Sequence, residues 1–534
     1  MPKRSRSSSF LMTTTIVSAA LIFTAPTRIN AYITSGLPAH THRAFLRKLT
    51  DDICNQSIGS LSPEEMSTCP MLMSAWATAP EKLNLSSDNG RERALAVEGL
   101  LKRMIDERRA GNAEAIAVTE DYNAVMKAWS MSGEGSKAAV RAEQILIQMQ
   151  DLYQSGDKNV QPNLESFQIA IEAWTRASDD EPNAPARAQQ ILEWMINTYK
   201  SGANDKAQPD TLCFIPVLKA WASSRKLEGP IMAEHLIMWM QQLQFQEEIE
   251  SAKPTTLCFN IVMSSWLKSA DITSEKRIRQ IFEYMESSSK KGNVDVQPDA
   301  GSYNIVISSI SPAVKKFYDM GGARRADKIL ARLESGYLNG DETLRPDSII
   351  YNQVIDYWAK TQSVRGHFMK ARDVLDRQVK MFREEKVRKC RPDVTGYTSV
   401  IAACASTYGT VKEKRRSFDM AHLTFMESCA EKYTQPNDVT YGVMFKAVGR
   451  LLNNSDEQDK YARTLFKLCC DDGFLGDMAF MRMKAAVSNV VYKELTGGKT
   501  YEELPEEWKR NVTKRQKKYD MRKNAAKKSN QLRP

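Results

Sequence analysis

Amides and carboxylates recur at two fixed places in this chain. The first place follows an aromatic residue: Asn123 after Tyr122, Gln168 after Phe167, Asn260 after Phe259, Asn304 after Tyr303 and Asn352 after Tyr351, with the hydroxyl of Thr398 after Tyr397. The second follows a proline: Asn163, Asp210, Asp299, Asp347, Asp393 and Asn437, with Thr255 as the hydroxyl variant. Such groups offer hydrogen-bond donors and acceptors to a ligand or to the backbone. Groups suited to catalysis show no comparable order. The nine cysteines include no C-x-x-C pair and no zinc-like spacing with the five histidines. His-x-Glu with paired cysteines, the mark of a zinc deaminase, is absent, and no run of aspartates suggests a metal-dependent nuclease. "LTGGKT" (495–500) imitates the end of a phosphate loop, but Lys493 stands where the first glycine is required, so it reads as a helix end with glycine just beyond it. His235, His367 and His422 have no ligand-like neighbours in sequence and read as core-edge or surface residues.

The elements that hold these residues repeat. The aromatics Tyr122, Phe167, Phe214, Phe259, Tyr303, Tyr351, Tyr397 and Tyr441 are spaced by 45, 47, 45, 44, 48, 46 and 44 residues. All but the first follow a proline by five residues, from Pro162 to Pro436. Behind each aromatic, apolar residues stand three, four and seven positions on, as in Ala170, Ile171 and Trp174, which is one face of an α-helix. The tryptophans in this stripe share it with Val, Met and Ile and so belong to packing between units rather than to base stacking. The proline ends the preceding helix, and the residue after it is a good N-cap for the next one. A second helix of Ala-x-x-Ile/Leu-Leu type follows in each unit, as in "ARAQQILEWM". A hairpin of this size cannot bury its apolar face alone, so the pattern predicts an all-α chain in which neighbouring hairpins stack. The residue after the aromatic is turned about 100° from the packed stripe and is free to face a ligand.

Charge divides along the chain. Residues 1–50 hold seven Lys/Arg and no acid, and residues 509–534 hold eleven Lys/Arg against Asp520 alone, so within the total of +10 the body from 51 to 508 is net −7. The basic balance therefore belongs to the ends, and by itself does not argue for nucleic acid. "MPKRSRSSSF" followed by the apolar run "FLMTTTIVSAALIFTA" and a second basic, acid-free stretch predicts a signal-like and then transit-like presequence over 1–50. It resembles the bipartite plastid presequence of algae with secondary plastids; a mitochondrial presequence, simple secretion and an uncleaved anchor are the alternatives. The repeat array is expected over 51–496 as about eight to ten hairpins, and 497–534 as a basic, flexible tail.

Pro-Asp-x-x-x-Tyr-Asn opening an apolar helix, closest in "RPDSIIYNQVIDYWAK" (345–360) and "QPDAGSYNIVISSI" (297–310), resembles the pentatricopeptide repeat family over residues 69–495. The units exceed that family's usual length. The resemblance implies a right-handed α-solenoid of tandem helix-turn-helix repeats that binds single-stranded RNA, one base per repeat, through the residue after the aromatic and the residue after the next proline. It pairs Asn123 with Asn163, Gln168 with Asp210, Asn260 with Asp299, Asn304 with Asp347, Asn352 with Asp393 and Thr398 with Asn437. Ile215 with Thr255 has little hydrogen-bonding capacity at its first position. The implied target is a tract like pyrimidine-N-N-U-U-U-A. The expected role is transcript stabilisation, processing or translation in an organelle, plastid ahead of mitochondrion, by occluding RNA and without catalysis, cofactor or small-molecule substrate. RNA-processing or ribosomal proteins are further candidate partners. The alternative is a protein-binding scaffold with no base recognition.

Overall fold

The computed structural model describes residues 39–512 apart from 84–89, 225–227, 247–248, 270, 318–319, 362–364 and 432, with the side chains of 39–43, 78–83, 311–317 and 320 also excluded. The presequence reading of residues 1–38 and the last 22 residues of the tail, 513–534, lie outside the described residues. The described chain is all-α, with no strand among those residues. Its contacts divide it into two units, Met1–Ser269 and Ala270–Pro534.

In the first unit, α1 (Ala39–Cys54) precedes the hairpins α2 (Pro63–Leu83) with α3 (Gly90–Arg109), α4 (Thr119–Ser130) with α5 (Ser136–Gln154), α6 (Leu164–Arg176) with α7 (Ala184–Lys200), and α8 (Thr211–Ser223) with α9 (Glu228–Gln246). The first-type helix α10 (Thr256–Ser269) ends it. The second unit opens on the second-type helix α11 (Ser274–Lys290). It continues with α12 (Ala300–Phe317) and α13 (Met320–Leu338), α14 (Ser348–Lys360) and α15 (His367–Arg383), and α16 (Val394–Ala405) and α17 (Val411–Ala430). Then come α18 (Asp438–Leu451) and α19 (Ser455–Asp471), and finally α20 (Asp477–Ala486) and α21 (Asn489–Thr496). Within each unit, each first helix packs on its own second helix and on the first helix of the next hairpin, and each second helix packs on the following first helix. This is how stripes that no hairpin can cover alone leave water.

The predicted joints form as the residue types demand. Pro162, Pro209, Pro254, Pro298, Pro346, Pro392 and Pro436 are all buried. Asn163, Asp210, Asp299, Asp347 and Asn437 each accept the backbone N–H three residues on, at 2.8–3.0 Å. Asp393 accepts two, from Thr395 at 2.9 Å and Gly396 at 3.1 Å. Ahead of six of these seven prolines, all but Pro436, lies a short 3-10 turn that sequence periodicity did not reveal, as at Lys158–Val160, Asp205–Ala207, Val294–Val296 and Glu342–Leu344. Asp157, Asn204, Asn293 and Asp341 cap these turns. Asn204 also donates to the Pro162 carbonyl at 2.7 Å, and Ser251 does the same to Pro209, so consecutive joints of the first unit are tied to each other. The chain enters these turns through a left-handed residue, Gly156 (φ 106°), Gly292 (φ 100°) and Gly340 (φ 100°); Lys386 (φ 56°) takes that place before Pro392.

The tryptophans of the stripe are buried, as packing residues should be, and their indole N–H groups are satisfied. Trp129 donates to Glu98 at 2.7 Å, Trp174 to Glu143 at 2.8 Å and Trp358 to Asp327 at 3.3 Å, each on the second helix of the preceding hairpin. The same carboxylates receive Arg141, Arg187 and Arg377 from the second helix that follows. Acid, indole and guanidinium thus fasten three helices at one point.

Both ends of the array extend past the expected boundaries. Leu46, Thr50 and Ile53 of α1 are buried, and Thr50 accepts the Trp76 indole N–H at 3.0 Å, so the folded part takes in residues assigned to the presequence. At the other end Gly497 (φ 65°) closes α21 as the glycines of "LTGGKT" suggested. The chain then returns, with Trp508 edge-on to Phe466, its carbonyl accepting the Leu475 N–H at 2.8 Å, and Leu504 and Val512 buried. Charge composition hid this docked segment inside what reads as a tail.

Candidate nucleic-acid interface

The two sets of polar residues meet at the joints. Gln168, half-buried on α6, donates from Nε2 to both carboxylate oxygens of Asp210, at 3.2 and 3.4 Å. Asn352 on α14 does the same to Asp393, at 3.1 Å to each oxygen. In both cases one hairpin's side chain after the aromatic reaches the next hairpin's N-cap, forty-odd residues on in sequence. The carboxylate holds the helix amides with one edge and the neighbouring hairpin's amide with the rest of its lone pairs. Asn123 Nδ2 reaches Asn163 Oδ1 at 3.2 Å, and its own Oδ1 accepts the Ser166 hydroxyl at 2.7 Å. Thr398 meets Asn437 indirectly, bonding Thr440 at 2.6 Å, whose hydroxyl donates to Asn437 at 3.0 Å.

The remaining predicted positions differ. Asn304 and Asp347 are not bonded to each other, and the buried Oδ1 of Asn304 has no partner. Asn352 Oδ1 is likewise buried and unpartnered. Asn260 is half-buried on α10, and Asp299 caps α12 by accepting the Ser302 N–H at 2.8 Å. Asn123 is only 3% exposed, its amide spent inside the protein. Ile215 is half-buried just before Pro216, a proline inside α8.

Two further rows were missed, although their signal is a constant register. Two residues before the aromatic stand Leu212, Leu257, Ile349 and Val439, exposed by 62, 49, 60 and 37%. Core packing does not ask for large apolar groups there, and the same register holds Glu120, Glu165, Gly301 and Thr395 in the other hairpins. Nine residues after the aromatic stand Arg176, Lys268, Lys360 and Arg450. Arg176 is ion-paired with Glu172 at 2.9 Å, and Lys360 with Asp356. One face of the first helices therefore carries an apolar row, an amide and carboxylate row, and a partly neutralised cationic row.

Among the described residues no group of three or more His, Cys, Asp or Glu side chains is placed to hold a metal. Burial pushes the thiols of Cys69, Cys213, Cys390 and Cys404 up to about 12, which keeps them protonated and unreactive at neutral pH. His367 is buried, its Nε2 within 3.0 Å of the Ala403 carbonyl, and so serves the core rather than a ligand. No helix among the described residues is long and apolar enough to cross a membrane. Searched against known proteins, the chain matches no family model and no curated protein.

Proposed function

We propose that this chain is a pentatricopeptide-type, right-handed α-solenoid that binds single-stranded RNA in an organelle, the plastid ahead of the mitochondrion. It acts by covering a transcript segment rather than by chemistry on it. The observation that carries the reading is the pairing of Gln168 with Asp210 and of Asn352 with Asp393 across successive hairpins. In the hairpin of Asn352 that pair stands beside the exposed aliphatic side chain of Ile349, and together they offer a base an edge and a face. Stabilisation, processing and translation of the transcript all follow from occlusion, with RNA-processing or ribosomal proteins as further partners.

Crosslinking the full chain in the organelle and sequencing the bound RNA tests the reading. An enriched transcript with a pyrimidine-N-N-U-U-U-A-like tract, altered by changing Asn304 and Asp347, is the expected outcome. Recovery of no enriched RNA would overturn it. The protein-scaffold reading keeps one specific support: Ile231, Met238 and Phe245 lie seven residues apart on α9 and all three are exposed. A seven-residue period keeps them on one face, and such a stripe suits a partner helix. Co-purification of a stoichiometric protein, abolished by Phe245→Glu and insensitive to nuclease, would favour that reading.

A further inference from the structure

The cationic row changes character at its last member. In two earlier hairpins the base nine residues after the aromatic has an acid one turn before it, Glu172 before Arg176 and Asp356 before Lys360. Before Arg450 the same place is held by Lys446. A like-charge pair one turn apart on a helix is unfavourable, and here a third cation joins it.

The third is Arg482 on α20, and two glycines bring it in. Gly442 and Gly449 lie seven residues apart on the face of α18 that meets α20. A Cβ at Gly449 would stand 3.0 Å from the Ala486 Cβ, and one at Gly442 would stand 3.5 Å from the Ala479 Cα, so the two backbones are in close approach. Lys446 lies between the glycines, and Arg482 between Ala479 and Ala486, so both side chains issue from one seam. Arg450 lies 4.7 Å over the ring of Tyr408, an exposed aromatic in the preceding loop.

None of the three cations is bonded to a carboxylate among the described residues. Arg482 Nη1 is buried with no acceptor at all. Burial, then the charges of Arg450 and Arg482, lower the proton affinity of Lys446, and burial lowers that of Arg482. A half-buried guanidinium with one nitrogen lacking an acceptor, beside two other cations, costs free energy that a bound anion recovers.

We infer that Lys446, Arg450 and Arg482 form an anion site that takes a phosphate of the RNA backbone just beyond the last reading pair, Thr398 with Asn437. The assignment of RNA as its source rests on the function proposed above. Asn437 caps the same helix that carries Lys446 and Arg450, which stand about 14 and 20 Å further along its axis, so one helix links the pair to the site. A phosphodiester offers two accepting oxygens to the fork of Arg482 and a compact charge to Lys446. The site would anchor the strand without reading a base.

Two measurements on the full chain test this. In the first, inorganic pyrophosphate is titrated into the wild type, Arg450→Gln and the Lys446→Gln/Arg482→Gln double variant, and thermal unfolding is followed. Pyrophosphate should raise the melting temperature of the wild type and have a smaller or no effect on the variants; an equal rise in all three overturns the site. In the second, single-stranded RNA is bound over a salt series. The slope of log affinity against log salt should shrink by about 0.7 for each phosphate that the variant no longer neutralises, with base preference unchanged. A pyrophosphate effect confined to the wild type, with unaltered RNA slope in the variants, keeps the anion site and removes RNA as its ligand. If the double variant does not fold, Arg450→Gln alone decides, because its side chain rests on the surface ring of Tyr408.

Discussion

Asn352→Ala separates a residue that holds the fold from one that holds a ligand. The substitution removes the amide shared by both Asp393 oxygens at 3.1 Å, a charge-assisted bond worth about 1.5–3 kcal/mol. It also removes Oδ1, a buried acceptor with no partner, whose desolvation costs about 1–3 kcal/mol in the wild type. Asp393 keeps the Thr395 and Gly396 amides, so the N-cap of α16 survives. The two terms nearly cancel, and the stability change should stay within about 1 kcal/mol. RNA affinity has no such compensation. Removing the donor–acceptor edge should cost about 1.4 kcal/mol, or tenfold in Kd, and flatten the preference for the third U of the tract. Urea unfolding followed by fluorescence gives the first quantity, and anisotropy with tracts varied at that U gives the second. Asp393→Ala is the contrast, since it removes the cap and should destabilise by about 0.5–2 kcal/mol. A drop above about 2 kcal/mol in Asn352→Ala, with affinity and U preference unchanged, would show the amide to be a structural brace and refute base reading here.

Three further outcomes concern stability. Lys386→Gly should stabilise the second unit by about 0.5–1 kcal/mol, because left-handed backbone costs a side-chain residue about 1–2 kcal/mol and glycine's extra unfolded freedom returns part of it; urea midpoints no higher than those of Lys386→Ala would sink the argument. Glu107→Ala should destabilise by about 3–5 kcal/mol, since it leaves the buried charge of Arg103, 2.7 Å away, with only the Gln56 and Ser57 carbonyls and releases the Gly59 amide; retained protection of the 55–62 loop against proteolysis would count against this. Burial raises the Asp121 carboxyl from 3.8 to about 6 although it accepts the Val118 N–H at 2.9 Å. With the folded value above the unfolded one, the native state binds more protons between about pH 4 and 6, so stability falls as pH rises through that window, by up to about 3 kcal/mol. Asp121→Asn keeps the acceptor and should therefore gain stability at about pH 8 but not at about pH 4, as paired urea titrations would read.

What sequence made legible here is what recurs at a fixed offset. Pro162, Asn163, Phe167 and the stripe to Trp174 return often enough that register alone fixed the joint, the cap and the packed face, and the structure places each as expected. The partners of these residues were not legible, because a hairpin's neighbour lies forty-odd residues away and the partner type varies. Trp129 and Trp358 find Glu98 and Asp327, while Trp221 finds Gln189, three residue types for one role. Composition misled at both ends for a related reason: α1 and residues 501–512 dock through a few apolar side chains, Leu46, Ile53, Leu504 and Val512, set among charges that dominate any average.

Gly442 shows how a single position changes meaning once its neighbours are known. In sequence it stands after Tyr441 where a reading side chain is expected, and so looks like a blank letter at the end of the tract. In the fold it is buried against Met478 and Ala479, and with Gly449 it draws α20 onto α18. A side chain able to read a base at 442 would push α20 away and take Arg482 from the seam. Base reading and phosphate anchoring are therefore mutually exclusive at this hairpin, and the glycines select the second. Gly449→Leu should accordingly separate the two helices and reduce the salt dependence of RNA binding as the double glutamine variant does, while leaving preference at the three U positions intact; an unchanged salt slope in a folded Gly449→Leu protein would mean that close packing does not assemble the cations.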